Sequence, residues 1–176
     1  MAIILQKTEL KGVYLIKLDK KEDKRGYFQR LFCKKIFNKL NISKKIVQIN
    51  ESFSKKKGTV RGLHFQKSKS AEIKILRCVS GSLINIIVDT RKNSKTYLKH
   101  IKIKLSSKNN FMTYIPQGFA NGIQTLEKNT KLVYFVSNYY NPKLEGGLNL
   151  FDPKLKIRLP LKPSVITKKD KNWKFL

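Results

Sequence analysis

The chain has 176 residues and a mass of 20.5 kDa. Apolar residues make up 40% and charged residues 28%, which excludes a fibrous or disordered chain and fits one domain, 1–176, with a core of ordinary size. Lys and Arg total 39 against 11 Asp and Glu, a net charge of +28, but the lysines are scattered and no helix-turn-helix or zinc-finger pattern goes with them, so the field points to a small anionic ligand rather than to nucleic acid.

At the N-terminus, Met1 to Gly12 carries too short an apolar run for a signal peptide, and no small-residue cleavage site follows. No stretch reaches the roughly eighteen apolar residues of a membrane span; the longest candidate, Cys78 to Val88, is broken by Ser80, Ser82 and Asn85. The chain therefore reads as cytoplasmic, with Cys33 and Cys78 as reduced, buried thiols. A short helix is predicted over 34–40, where Ile36, Phe37 and Leu40 share one face. The run from Lys45 to Asn50 alternates as a strand. In Thr59 to Gln66, alternation puts Gly62 and His64 on one face and Leu63 and Phe65 on the other. Leu83 to Val88 is β-branched and reads as a buried strand. His100 to Leu105 alternates strictly, and Leu132 to Val136 is again a buried strand. Turn signals separate these runs at Lys57-Gly58, Ser80-Gly81, 108–110, 116–118, Asn141-Pro142 and Gly146-Gly147. Many short strands with regular turns predict a sandwich or barrel. The basic tail, 160–176, carries Ile166, Trp173 and Phe175 and is expected to pack back on the body.

Chemistry-bearing residues are few. The chain has two histidines. His100 opens an alternating strand and reads as structural. A lone His on a strand is usually structural too, but His64 has space beside it at Gly62 and a cation at Arg61. No short-spaced His pair exists, so a metal site is not expected. Nothing matches a phosphate-binding P-loop, a dinucleotide glycine fingerprint or a serine nucleophile elbow. Asp23 to Arg30 sets two arginines around a glycine and two aromatics, suited to a phosphate and a stacked base, or to a plain surface hairpin. Tyr114 to Gly122 is rich in turn residues. Tyr134 lies inside an apolar strand, where its phenol needs a polar partner.

Read in order, several strings resemble one family: Asp23-Lys-Arg-Gly-Tyr-Phe28, Gln48-Ile-Asn50, Arg61-Gly-Leu-His-Phe-Gln66, Lys74-Ile-Leu-Arg77, Val88-Asp-Thr-Arg91, Pro116-Gln-Gly-Phe-Ala120, Tyr139-Tyr-Asn-Pro142 with Glu145, Asp152-Pro153 and Lys169-Asp170. The chain resembles the dTDP-4-dehydrorhamnose 3,5-epimerases over nearly its whole length. The resemblance implies an all-β, cupin-type jelly-roll β-sandwich with a few short helices, a homodimer, and catalysis without metal or cofactor. The ketone of a 4-keto sugar acidifies the protons at C3 and C5. A base removes one to give an enolate, and an acid returns a proton to the opposite face. By resemblance His64 is the base, which suits its titration range. Asp170 orients it, Lys74 stabilises charge on the C4 oxygen, and Tyr134 is the acid. Arg25, Phe28 and Arg61 match phosphate and substrate contacts, Gln48 and Asn50 line the nucleotide side, and Glu145 and Lys169 fall on further binding positions.

Two positions depart from the family pattern. Arg30 stands where a Glu would accept a hydrogen bond from the thymine ring; an arginine only donates, and its fork suits guanine O6 and N7. That opens GDP-linked as well as dTDP-linked substrates. Asn121 stands where the family has a His near the sugar, which admits a changed sugar, such as a heptose, or loss of one epimerisation. The expected function is an epimerase inverting C3, C5 or both of a nucleoside-diphosphate 4-keto-6-deoxy sugar for a surface polysaccharide such as a capsule. A nucleotide-sugar 3,4-ketoisomerase and a non-catalytic sugar-nucleotide or nucleic-acid binding module are the alternatives.

Overall fold

The computed structural model describes residues 3–39, 42 and 45–176. The strand-forming runs fold, in chain order, as β1 (Ile3–Lys7), β2 (Tyr14–Leu18), β3 (Lys20–Asp23), β4 (Gly26–Gln29), β5 (Gln48–Ser54), β6 (Val60–Gln66), β7 (Lys74–Ser80), β8 (Ser82–Asp89), β9 (His100–Ser106), β10 (Phe111–Ile115), β11 (Phe119–Thr125), β12 (Thr130–Val136) and β13 (Glu145–Gly147). Two short helices, α1 (Lys34–Lys39) and α2 (Lys168–Lys171), complete the set. One sheet has the order β1-β2-β10-β7-β12-β5, the other β13-β6-β11-β8-β9, and β3 and β4 form a separate hairpin. Sequence-distant strands lie side by side and antiparallel, and the two sheets face each other. This is the cupin-type jelly-roll sandwich.

Three apolar layers hold it. Leu76, Cys78, Leu83, Ile87, Leu105 and Leu132 fill the space between the sheets. On the outer face of the first sheet, Ile16, Ile75, Met112 and Phe135 pack against Phe37 of α1. On the outer face of the second, Val60, Leu63, Ile86 and Val88 pack against Leu148, Leu150 and Leu155 of the returning chain. The interior strand β8 is thus covered on both faces, which is why Leu83 to Val88 reads as a continuous apolar run rather than an alternating one. The helix over 34–40 forms with Phe37 inward, while Leu40 lies outside the described residues. No helix among the described residues is long and apolar enough to cross a membrane.

Four sequence expectations are corrected. The strand read from Lys45 begins at Gln48 and runs to Ser54, and it carries its polar side inward: Gln48, Asn50 and Ser52 face the inter-sheet space, while Ile49 and Phe53 are exposed. An open cavity, not core, lies beneath β5, so the usual polarity of the two faces is reversed. Gly146-Gly147 is not a turn but the strand β13, paired with β6. In the tail, Ile166 and Trp173 pack back as expected, but Phe175 stays exposed. Cys78 is buried and Cys33 only half-buried; both are free thiols.

Asp89, at the end of β8, is fully buried and closes the adjoining loop. Its carboxylate accepts bonds from the Arg91 backbone N–H and guanidinium, from Ser94 Oγ and from Thr96 Oγ1. Burial alone would raise its pKa, but these donors outweigh burial and hold the carboxyl well below the usual carboxylate range. A group held low in the fold stabilises fully above its unfolded value of about 4 and loses that contribution as pH falls through the folded value. Asp89→Asn should therefore cost about 2–3 kcal/mol at neutral pH, with the penalty shrinking in acid; urea denaturation of both proteins at pH 7 and pH 3 checks this.

Candidate active site

The site begins with an irregularity in β6. Across β11, Asn121 pairs with His64 while Ile123 pairs with Arg61, so between these pairs one residue, Gly122, opposes two, Gly62 and Leu63. This is a β-bulge at Gly62 and Leu63. Gly62 adopts φ +100°, and a Cβ there would stand 2.6 Å from the Asn121 carbonyl oxygen. Simple alternation puts Arg61 and His64 on opposite faces. The bulge brings both onto the face that looks into the space between the sheets.

The C-terminal tail supplies the partner. Thr167 Oγ1 caps α2 by accepting the Asp170 N–H. Asp170 Oδ1 lies 2.6 Å from His64 Nε2, and Asp170 Oδ2 accepts the Gly62 N–H at 3.1 Å. Burial works to raise the Asp170 carboxyl, but the bonds from His64 and Gly62 prevail and hold it below its ordinary value, so it is a carboxylate at neutral pH. With Asp170 on Nε2, Nδ1 is the His64 ring nitrogen that has no hydrogen-bond partner among the described residues. Trp173 packs edge-on to the imidazole with ring centroids 6.4 Å apart. A Cβ on Gly147 would overlap the indole, so β13 needs glycine where the tail crosses it. Asn149 then clasps the tail, donating from Nδ2 to the Lys171 and Trp173 carbonyls at 2.9 and 2.8 Å.

The opposite sheet provides the other wall. Lys74 and Leu76 share a face of β7, and Tyr134 of β12 pairs with Leu76 on one side and with Asn50 of β5 on the other. Two adjoining lobes of roughly 340 and 350 Å³ result, with His64, Lys74 and Tyr134 lining both. The first lobe also holds Arg61, Asn121, Lys169 and Asp170; the second holds Gln48, Asn50 and Glu145. Gln48 Nε2 donates to Asn50 Oδ1. Glu145 accepts from Lys169 Nζ at 2.6 Å and Tyr140 O–H at 2.7 Å; burial opposes these bonds, but they hold its carboxyl below the ordinary value. Burial, with the charge of Glu72 second, pushes the Tyr134 phenol up, against the pull of Arg61, so it keeps its proton well past neutrality.

Ten of the sequence-derived site residues thus converge: His64, Lys74, Tyr134, Asp170, Gln48, Asn50, Arg61, Asn121, Glu145 and Lys169. Arg25, Phe28 and Arg30 do not. They lie on or just after the β3–β4 hairpin, outside both lobes and exposed, with Arg25 turned back on Asp23 at 2.7 Å. Sequence reasoning missed Glu72, whose side chain is 8% exposed and pairs with Lys74 Nζ at 3.3 Å. It also missed Trp173, which packs against His64, and Asn85 behind Asn121. Glu72 stands two residues before Lys74, and that spacing was its only signal. No group of three or more His, Cys, Asp or Glu among the described residues could hold a metal ion.

The dTDP-4-dehydrorhamnose 3,5-epimerase family model matches residues 7–176. A dTDP-4-dehydrorhamnose 3,5-epimerase from Methanothermobacter thermautotrophicus is 37% identical over 171 residues, 96% of this chain and 91% of the relative. The chain belongs to the dTDP-4-dehydrorhamnose 3,5-epimerase family. It is an isomerase of the nucleotide-sugar epimerase class. The crystal structure of the Bacillus anthracis epimerase with TDP and PPi bound superposes with a TM-score of 0.96 at 32% identity, covering 99% of this chain and all 100% of that one. The Legionella pneumophila enzyme in complex with dTDP-4-keto-L-rhamnose superposes with a TM-score of 0.94 at 31% identity, covering 99% and 93% of the two chains. The bulge, the tail clasp and the two-walled cavity are how this epimerase chain builds its site.

Trp173 is the chain's single tryptophan, so its fluorescence reports on the wall beside His64. Gly147→Ala should eject the indole, shift its emission to the red and cost about 1–3 kcal/mol of stability, read from emission spectra and thermal melts. An unchanged spectrum would contradict the packing described.

Proposed function

We propose that this chain epimerises a dTDP-linked 4-keto-6-deoxy hexose at C3, C5 or both, through the residues of the two-lobed cavity. The observation that carries this reading is the placement of a base and an acid on facing walls. His64 projects from β6, Tyr134 from β12, and Lys74 stands beside Tyr134. His64 Nδ1 takes the proton, with Asp170 on Nε2 stabilising the imidazolium that forms. The Lys74 ammonium faces the C4 oxygen as it gains charge. The phenol of Tyr134, held protonated by its surroundings, delivers a proton from the other side. Each group acts on charge that develops only during the reaction.

The diphosphate of such a substrate suits a chain of net charge +28 with Arg61 and Lys169 at the first lobe. The thymidine reading is supported by the relatives, whose names carry dTDP. Arg30, the residue that suggested guanine, does not line the cavity of its own chain, and the relatives' names carry no GDP-linked sugar. Arg25, Phe28 and Arg30 would reach a nucleotide only from a second copy. Exposed Tyr27 and Phe28 on the hairpin and Ile49 and Phe53 on edge strand β5 give such a copy an apolar surface to cover. We read the chain as a homodimer in which the hairpin of one protomer closes the nucleotide end of the other, working toward a surface polysaccharide.

Incubation with dTDP-4-keto-6-deoxyglucose in heavy water, followed by NMR, tests the chemistry. Deuterium should enter at C3, C5 or both, and the GDP-linked counterpart should be a much poorer substrate. His64→Asn should abolish exchange; retained exchange in the folded variant would falsify the assignment. Tyr134→Phe should separate two readouts. Exchange on the His64 side should persist, while inversion falls by about 100-fold or more.

A further inference from the structure

Asn121 is held from behind in one orientation. Its terminal nitrogen lies 3.2 Å from the Ile86 carbonyl oxygen and 3.4 Å from that of Gly122. Carbonyl oxygens only accept, so the atom facing them must be the amide nitrogen, Nδ2. That nitrogen also donates to Oδ1 of Asn85, which is fully buried on β8. Asn85 is fixed in turn: its oxygen faces Asn121, and its Nδ2 donates to the buried Thr113 Oγ1 at 2.7 Å. Turning Asn121 over would set its oxygen against three acceptors where there is little water to separate them. The opposite atom, Asn121 Oδ1, has no partner among the described residues. Asn121 lines the first lobe directly across the strand pair from His64.

We propose that Asn121 is a specificity-determining residue that offers the sugar a fixed hydrogen-bond acceptor and never a donor. It selects a nucleotide sugar with a hydroxyl on C2 or C3 pointing at Oδ1. This rests on the epimerase reading above and adds to it the polarity of one contact. An imidazole at this position could donate or accept and would change with pH. A neutral amide anchored by Asn85 only accepts at Oδ1 and does not titrate, so the discrimination is constant across the working pH range. A site arranged around a substrate hydroxyl rejects the analogue lacking it, because the facing oxygen is left unpaired.

The test measures deuterium exchange, at whichever of C3 and C5 exchanges in the parent sugar, for four substrates: dTDP-4-keto-6-deoxyglucose, its 2-deoxy and 3-deoxy analogues, and the fluoro analogue at whichever position proves sensitive. In the wild-type chain one deoxy analogue should lose about tenfold or more in kcat/KM. Fluorine cannot donate, so the fluoro analogue should lose as much. In Asn121→Ala that penalty should shrink to about twofold or less. Asn85→Asp, which can still accept from Asn121, should keep the discrimination; Asn85→Leu, checked by thermal melting, should lose it. A fluoro analogue that restores activity, or a penalty that survives Asn121→Ala, overturns the proposal while leaving the epimerase reading intact. No exchange in the parent sugar overturns both.

Discussion

The contact between His64 and Asp170 joins residues 106 positions apart and organises much of the rest. A carboxylate only 4% exposed has to be surrounded by donors, or it would take up a proton and lose its charge. Three local features supply them. The bulge at Gly62 turns a backbone N–H toward Asp170 and puts His64 alongside. The Thr167 cap fixes the short helix that carries it. Asn149 and the side-chain-free Gly147 let the tail lie flat across β13 with Trp173 underneath. Remove any of these and the tail has little reason to stay, since most of α2 is solvent-facing lysine.

Electrostatics adds a second level of order. Only 11 carboxylates accompany 39 basic residues, and several of them have specific positions. Asp89 closes a loop against Arg91, Asp170 holds His64, Glu145 holds Lys169, and Glu72 holds Lys74. Among the described residues the remaining positive charge is largely surface lysine, a diffuse field that draws anions without specifying one. Inside the cavity the polar lining also includes neutral groups, Asn121 and the Gln48–Asn50 pair.

Much of this was legible in the sequence, for identifiable reasons. Strands covered on both faces, such as β8, announce themselves as apolar runs, and Phe37 marks the one face of α1 that packs. Arg61-Gly-Leu-His-Phe-Gln66 and Lys169-Asp170 carried the site because each string holds one member of the His64–Asp170 pair together with a basic neighbour, Arg61 or Lys169, that lines the same lobe. What stayed hidden depended on tertiary context. The inward polarity of β5 follows from a cavity that only two assembled sheets enclose. The bulge in β6 moves Arg61 to the face of His64, which a period of two cannot foresee. Gly146-Gly147 looked like a turn because the indole that takes the place of a side chain comes from Trp173, far along the chain. Arg25, Phe28 and Arg30 read as site residues from their string alone, yet the hairpin that carries them stands away from the cavity of its own chain.

The central claim is that Asp170 fixes the imidazole of His64 with Nε2 as its donor and leaves Nδ1 as the base. Nitrogen NMR of the labelled protein across a pH titration tests it directly, since only His64 and His100 contribute ring signals. The account predicts that neutral His64 carries its proton on Nε2, with Nδ1 bare, and that Asp170→Asn shifts this tautomer preference. A neutral His64 protonated on Nδ1, or a tautomer indifferent to Asp170, would contradict it.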